Sequence, residues 1–376
     1  MNIEAVRDYC LSKRGVEESF PFDEETLVFK VCDKIFVVIA LEKPDRITLK
    51  CHPSLREELG ARYIAVTSAP YFNKVSWATL LFNQDIPHDL ICFLIDHAYG
   101  EAIRCIPKKR QVEFFKESLP PTVNYHHLNV CNSTMEECGS TQDLPHTNRL
   151  SLITTDLQRK GRGQRGNSWE SENGKNLLFS CVFCPEAITA SEQFRLSQAI
   201  SLALLSAIRR HCPPHLSSIA EKFSVKWPND IYFDSFKVGG MLLEHTLKRD
   251  RILRTVIGIG LNINQNTFHS DAPNPISLLN VFGFELPRFV LLETIMQQLK
   301  LYLQLISDTS SLQNEYLSNL WRRDGFHPFR DDEGTFYAAI EDVLPDGRII
   351  LRKNDNTQHA YGFKEVRFEG LGSTPE

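Results

Sequence analysis

"GRGQRGNSW", Gly161–Trp169, decides how this chain reads. Three glycines and two arginines fall within its first six residues, and an indole closes it. Glycine lets a backbone approach a ligand closely. Arginine offers a planar fork that matches carboxylate and phosphate oxygens. Trp169 supplies a flat ring on which a base can stack. The stretch lacks the GxxxxGK[ST] pattern of a P-loop, and it lacks the GxGxxG spacing before a helix of a dinucleotide fold. On composition alone an ordinary solvated loop fits it equally well.

Working outward, "RLSLITTDLQ" and "NLLFSCVF" read as strands on either side of the loop. "SEQFRLSQAISLALLSAIRRH" reads as a long helix with Ser191 as N-cap, ended by Pro213-Pro214. "FSVKWPNDIYF" reads as strand, turn, strand, and "KVGGMLLEHTL" and "RTVIGIGLNIN" as further strands. Residues 285–323 are mostly helical in pattern. The tail, 334–370, alternates apolar and polar residues around "PDG" and "NDN" turns, which suggests a small barrel. Upstream, a short amphipathic helix precedes the strands "TLVFKVCDKIFVVIAL" and "RITLKC". "SLREELG" reads as a helix closed by Gly60, "WATLLF" as a strand and "HDLICFLIDHAYGEAI" as a helix. "PKKRQVEFFKESLPPTVN", 107–124, mixes charges with a Pro-Pro pair and reads as a linker.

A chain of 376 residues exceeds what one core usually supports, so more than one domain is expected. Charged residues at 24% fit an ordinary soluble composition. A net charge of −5 gives no global attraction to nucleic acid or anionic membrane, so any anion binding must be local. The N-terminus has no apolar signal core, and the run Ile35–Leu41 falls far short of the ~20 residues of a membrane helix. The ten cysteines form no disulfide-like framework. The expectation is a cytoplasmic protein with reduced thiols.

Three further segments follow the loop in order: "KWPND" (Lys226–Asp230), "KVGG" (Lys237–Gly240) and "GIGLN" (Gly258–Asn262). With "GRGQRGNSWES" they resemble the motifs of biotin–protein ligases, a family that loads biotin onto carboxylase carrier domains. The resemblance covers roughly 125–370. It implies a mixed-sheet catalytic domain of the biotinyl/lipoyl ligase type over 125–326 and an SH3-like β-barrel over 327–376. It also implies ATP-dependent activation of biotin to biotinyl-5'-AMP, with Mg²⁺ on the phosphates, and transfer to a lysine of a biotin carboxyl carrier protein. Site residues carry over by position. Arg162, Lys237 and Asp230 are catalytic. Ser133, Thr134, Gln158, Gly161, Arg162, Lys237 and Gly240 bind biotin. Gly163, Arg165, Trp169, Asn229 and Asn262 bind ATP and the adenylate. Asn229 and Asp230 line the nucleotide and metal region, or Asp230 helps deprotonate the incoming lysine; the metal ligands stay unassigned. No permanently bound cofactor is implied. Gln164 and Met135 depart from the pattern, standing where an arginine and an asparagine are common.

Plainer readings stand beside these. "CVFC", Cys181–Cys184, reads as core cysteines rather than a zinc site. His126 and His127 read as surface residues. Lys226, Pro228 and Asn229 serve equally well as turn residues, and Trp227 as core. Residues 1–106 resemble a different family, the MmcQ/YjbR-type domains, which implies a CyaY-like α+β fold and no defined chemistry. Residues 1–112 carry 15 Lys and Arg against 16 Asp and Glu, which argues against DNA binding. A biotin-responsive DNA-binding regulator and a lipoate or octanoate ligase remain as alternative functions. The oligomeric state stays open, a homodimer included.

Overall fold

The structure is a computed structural model that describes residues 1–140, 150–163, 168–185, 188–269 and 274–370. Its contacts divide into two compact units. The first comprises Met1–Leu119, Cys212–Ser217 and Leu279–Glu293, and the second Pro120–His211, Ser218–Leu278 and Thr294–Glu376.

The first unit opens with α1 (Ile3–Leu11), capped by the Asn2 side chain, which accepts from Ala5 N at 2.9 Å. Strands β1 (Val16–Ser19), β2 (Thr26–Val31), β3 (Lys34–Ala40) and β4 (Arg46–Lys50) follow, then α2 (Pro53–Arg62), β5 (Val66–Ser68), β6 (Trp77–Leu81), α3 (His88–Arg104) and α4 (Lys108–Ser118). The strands pair antiparallel in the order β1-β2-β3-β4-β6-β5. Cys32 and Asp33 join β2 to β3 with φ of 47° and 60°, the two left-handed residues that a tight hairpin turn needs. Trp77 is buried in the sheet and stacks on Phe72 with centroids 4.4 Å apart.

Three local expectations change here. Gly60 lies inside α2, which runs on to Arg62 because Leu55 and Leu59 are buried; Tyr63, in extended backbone, ends it. The segment read as a linker contains α4, whose Phe114 and Phe115 are buried. Residues 279–293 also join this unit. Phe289 meets Phe115 at 5.8 Å, Glu285 pairs with Arg104 at 3.1 Å, and Phe284 meets the His97 ring edge-on at 5.2 Å. Gly100, in the middle of α3, admits the Pro287 ring: a Cβ there would lie 2.7 Å from Pro287 Cγ.

The second unit contains β7 (Val123–Cys131), α5 (Thr134–Ser140), β8 (Leu150–Gln158), β9 (Leu177–Phe183), α6 (Phe194–Arg210) and α7 (Ser217–Ala220). Next come β10 (Phe223–Lys226), β11 (Asp230–Phe233), β12 (Phe236–Lys248) and β13 (Arg251–Leu261). These strands form one mixed sheet, β10-β11-β12-β13-β9-β8-β7, in which the β7–β8 pair is parallel. Helices α8 (Leu278–Phe282), α9 (Arg288–Gln304) and α10 (Thr309–Ser318) lead to β14 (His327–Arg330), β15 (Thr335–Val343), β16 (Ile349–Lys353), β17 (Gln358–Tyr361) and β18 (Arg367–Phe368). The last five pair in the order β17-β16-β15-β14-β18, and among the described residues no pairing closes that sheet into a barrel.

The entry to α6 is capped by Thr189 rather than Ser191. Thr189 and Glu192 form a reciprocal capping box around a short 3₁₀ turn, Ala190–Glu192, that precedes the helix. His126 is exposed as expected, but the His127 side chain is only 10% exposed, because it bonds Thr154 Oγ1 at 2.8 Å and Asp156 Oδ2 at 3.3 Å. Cys181 is buried in the sheet, and Cys184 lies half-buried beyond its end.

Alanine in place of a helix-interior glycine normally stabilises by about 0.5–1 kcal/mol. At Gly100 the Pro287 ring stands in the way. Gly100→Ala is therefore expected to lower the melting temperature by a few degrees, roughly 1–2 kcal/mol of overpacking. A thermal scan showing a rise would contradict this packing.

Candidate functional site

Side chains of a strand alternate between the two faces of its sheet. In β13 the residues Ile257, Ile259 and Leu261 are buried on one face, which leaves Gly258 and Gly260 to the other. Register carries that second face across the sheet. Asp230 lies opposite Gly240, Gly240 opposite Gly260, and Gly260 opposite Leu178. The adjacent row runs Leu242, Gly258, Ser180, Ile153. Three glycines and a serine thus floor a shallow trough.

Each glycine is roofed by a side chain from elsewhere in the chain. A Cβ on Gly260 would lie 2.5–2.9 Å from Cε2, Cζ2 and Nε1 of Trp169, so the indole rests directly on the backbone. Trp169 Nε1 is buried there with no hydrogen-bond partner. A Cβ on Gly258 would meet Met135 Sδ at 2.5 Å. Met135 is buried with Cys138, Ile153, Val182 and Val256, and forms an apolar wall. Over Gly240 sits Lys237, whose Nζ bonds Asp230 Oδ1 at 2.8 Å and lies 5.8 Å from the Trp169 ring centroid.

The far end of the trough is polar. Thr134 opens α5, and its N and Oγ1 donate to Gln158 Oε1 at 2.8 and 3.1 Å. Its hydroxyl also meets Ser180 Oγ at 2.7 Å. Ser133 is buried beside it, and its carbonyl accepts from Glu137 N. Gln158 Nε2 turns towards Gly161, where a Cβ would come within 3.3 Å of it and 2.6 Å of Trp169 O. Gly161 O accepts from Trp169 N at 3.0 Å, and Arg162 bridges to Ser168, so the glycine-arginine loop closes as a narrow hairpin at its base. Arg162 is exposed and Gly163 half-buried. Arg165 and Gln164 lie outside the described residues.

Two predicted residues hold backbone. Asn262 is buried and donates to the carbonyls of Lys237 at 3.4 Å and Ile276 at 3.2 Å. Asn229 donates to Met241 O and accepts from Met241 N through its own carbonyl. Both fix the strand from which Lys237 and Gly240 project. Trp227 is buried and donates to Gly347 O at 2.9 Å.

Sequence reasoning passed over a pair of buried amides. Gln265 Oε1 accepts from Asn176 Nδ2 at 2.6 Å and Glu172 N at 3.0 Å, and Asn176 Oδ1 accepts from Ile263 N at 2.9 Å. They tie the segment after Trp169 to the segment after Asn262. Two buried amides near the ends of strands were the available signal. Lys226 was also passed over as more than a turn residue. Burial holds its ammonium down to about 8, with Asp230 drawing it up and Lys237 and Arg322 pressing it further down. Among the described residues no three His, Cys, Asp or Glu side chains gather as metal ligands.

Residues 11–101 match the YjbR family, and residues 128–262 match the biotin/lipoate A/B protein ligase family. The bifunctional ligase/repressor BirA of Bacillus subtilis (strain 168) is 24% identical over 221 residues, 56% of this chain and 64% of that protein. The chain thus spans less than two thirds of that relative's length. The protein YjbR of Escherichia coli (strain K12) is 29% identical over 112 residues, 30% of this chain and 95% of that one. Among solved structures, the biotin protein ligase of Aquifex aeolicus in complex with biotin and ATP superimposes with a TM-score of 0.53 at 22% identity. That match covers 65% of this chain and 99% of the Aquifex chain, and shows a common fold. The chain therefore joins a YjbR domain, residues 11–101, to a domain of the biotin/lipoate A/B protein ligase family, residues 128–262.

Proposed function

We propose that this protein is an ATP-dependent biotin–protein ligase. It activates biotin as biotinyl-5'-AMP and transfers the acyl group to a lysine of a biotin carboxyl carrier protein. The observation that carries this reading is the trough itself. An indole, a lysine paired to a carboxylate, and a Thr–Gln hydrogen-bonded end share one glycine-floored sheet face.

The first step joins two anions. A biotin carboxylate oxygen bonds to the α-phosphorus of ATP, and the bond to the bridging oxygen breaks, releasing pyrophosphate. Fixed cations must offset the repulsion. Lys237 and Arg162 would supply charge that a chain of net charge −5 does not supply globally. The Thr134–Gln158 end suits the ureido ring, because each group has donors and acceptors of the amide kind. Met135 lines the apolar side. Trp169 offers a face for adenine, and its buried Nε1 a donor. Mg²⁺ binds with nucleotides largely through phosphate oxygens and water, aided by one or two carboxylates. Asp230 is the carboxylate that would hold the ion at this site, and the ion would offset the phosphate charge.

The second step needs a neutral amine. The acceptor lysine attacks the acyl carbon, the amide bond forms and AMP leaves with the oxygen that biotin supplied. Asp230 is placed to take the proton. Water must be kept from the mixed anhydride, a task for the loop that begins at Gly161.

We read residues 1–106 as a CyaY-like domain and 107–124 as a connection. Residues 125–326 form the catalytic domain, and the last five strands an SH3-like barrel over 327–376. Among the described residues no helix is long and apolar enough to cross a membrane.

Pyrophosphate release measured with ATP, Mg²⁺ and biotin tests the reading. Lys237→Ala and Arg162→Ala are each expected to lower the rate about 100-fold, the usual loss for a charge-stabilising group. Variants as fast as the parent would remove both residues from the reaction. In competition, biotin should displace lipoate; the reverse order would make this a lipoate-type ligase.

Gly260→Ala places a methyl group against three indole atoms. It is expected to raise the KM for ATP about 10-fold while the KM for biotin changes little. Equal changes in both would detach Trp169 from the nucleotide.

A further inference from the structure

Gly258 carries no side chain, and Met135 occupies the place one would take. A Cβ on Gly258 would lie 2.5 Å from Met135 Sδ and 2.6 Å from its Cγ. Across the sheet Gly258 has Leu242 on one side and Ser180 on the other. Leu242 packs against the same apolar cluster as Met135. Ser180 Oγ meets the Thr134 hydroxyl at 2.7 Å. The thioether therefore stands at the boundary between the apolar wall of the trough and its polar end.

The helical turn that carries Met135 is held on both sides. Before it, Thr134 N and Oγ1 donate to Gln158 Oε1 at 2.8 and 3.1 Å. After it, Cys138 Sγ donates to Ser180 O at 3.6 Å, and Cys138 O accepts from Arg254 Nη2 at 2.6 Å. The backbone at Met135 cannot withdraw from the sheet without breaking these bonds. The thioether can yield only through its own torsions, within a close-packed cluster that leaves the residue 5% exposed.

Trp169 stands over Gly260 as Met135 stands over Gly258. Residues two apart on a strand lie about 7 Å apart. Apolar groups touch at about 4 Å. One polymethylene chain in contact with both roofs fills such a gap, and a branch on that chain does not fit. In the sheet β13 lies between β9, which carries Ser180, and β12, which carries Lys237. An acid with its ring at the Thr134–Gln158 end and its carboxylate at Lys237 therefore crosses β13 between the two roofs. We propose that Met135 is a specificity-determining residue: with Trp169 it forms a slot over β13 that passes an unbranched acyl chain and rejects a branched one. The inference rests on the ligase reading above and deepens it, by limiting the substrates to acids whose carboxylate is joined to the ring through a straight chain.

Pyrophosphate release by the full chain with ATP and Mg²⁺ tests the slot, comparing biotin with biotin that bears one methyl branch midway along its side chain. The parent kcat/KM should be at least about 10-fold lower for the branched acid, the usual effect of one surplus carbon in a fitted apolar pocket. Met135→Ala should shrink that ratio about 10-fold, towards equality. Alanine leaves a cavity in the apolar cluster, so Met135→Val, a smaller deletion, should shift the ratio in the same direction with less loss of packing. A merely structural role for Met135 predicts equal losses for the two acids. Gly258→Ala pushes the thioether into the slot and should lower kcat/KM for biotin about 10-fold, and Met135→Ala in that background should restore it. Equal rates for the two acids in the parent, a ratio that both substitutions of Met135 leave unchanged, or a Gly258→Ala defect that Met135→Ala fails to relieve would overturn the inference and leave the ligase reading standing. A parent that releases no pyrophosphate with biotin would overturn that reading, and this inference with it.

Discussion

The site depends on one ion pair laid over one glycine. Lys237 Nζ and Asp230 Oδ1 meet at 2.8 Å above Gly240, where a Cβ would press on both, at 3.0 Å from the oxygen and 3.3 Å from the nitrogen. Both partners are partly exposed, so the pair adds little to stability. Its value is positional: the carboxylate holds a flexible four-carbon stem at one end of a trough. Because the chain as a whole is acidic, attraction for anionic substrates has to be built locally, and the proposed means are Lys237 and Arg162.

The sheet supplies the rest of the geometry. Glycine inside a strand weakens it and marks a close approach of another group. Here Gly258 and Gly260 alternate with Ile257, Ile259 and Leu261, so one face of β13 builds the core while the other is bare at those two glycines. Met135 and Trp169 fill that bare face from α5 and from the end of the glycine-arginine loop. Buried amides at Asn176 and Gln265 then hold the segment that follows the indole. The strand-to-strand register, rather than any one residue, brings the motifs together.

The strands of the mixed sheet were legible because short, largely apolar runs bounded by polar or glycine-rich stretches recur in "LSLITTDLQ", "LLFSCVF" and "RTVIGIGL". The motif residues were legible through resemblance, since spacing alone left the loop no more than a solvated turn. What stayed hidden depends on distant partners. The Lys226 ammonium lies near the rings of Trp321 and Phe368, from far along the chain. The affiliation of 279–293 with the first unit needs a glycine in α3 that sits across from Pro287. Local competition misled twice: Thr189 outcompeted Ser191 as a cap because Glu192 completes its box, and Phe114 with Phe115 turned a charged, linker-like stretch into a packed helix.

The central claim is that the cations of this trough let a carboxylate oxygen bond to the α-phosphorus of ATP. Isotope transfer tests it most directly. Biotin labelled with oxygen-18 in its carboxylate is turned over with ATP and Mg²⁺, and hydroxylamine serves as the accepting amine. The account predicts that one labelled oxygen ends in AMP and none in pyrophosphate. Unlabelled AMP, or label in pyrophosphate, would contradict it.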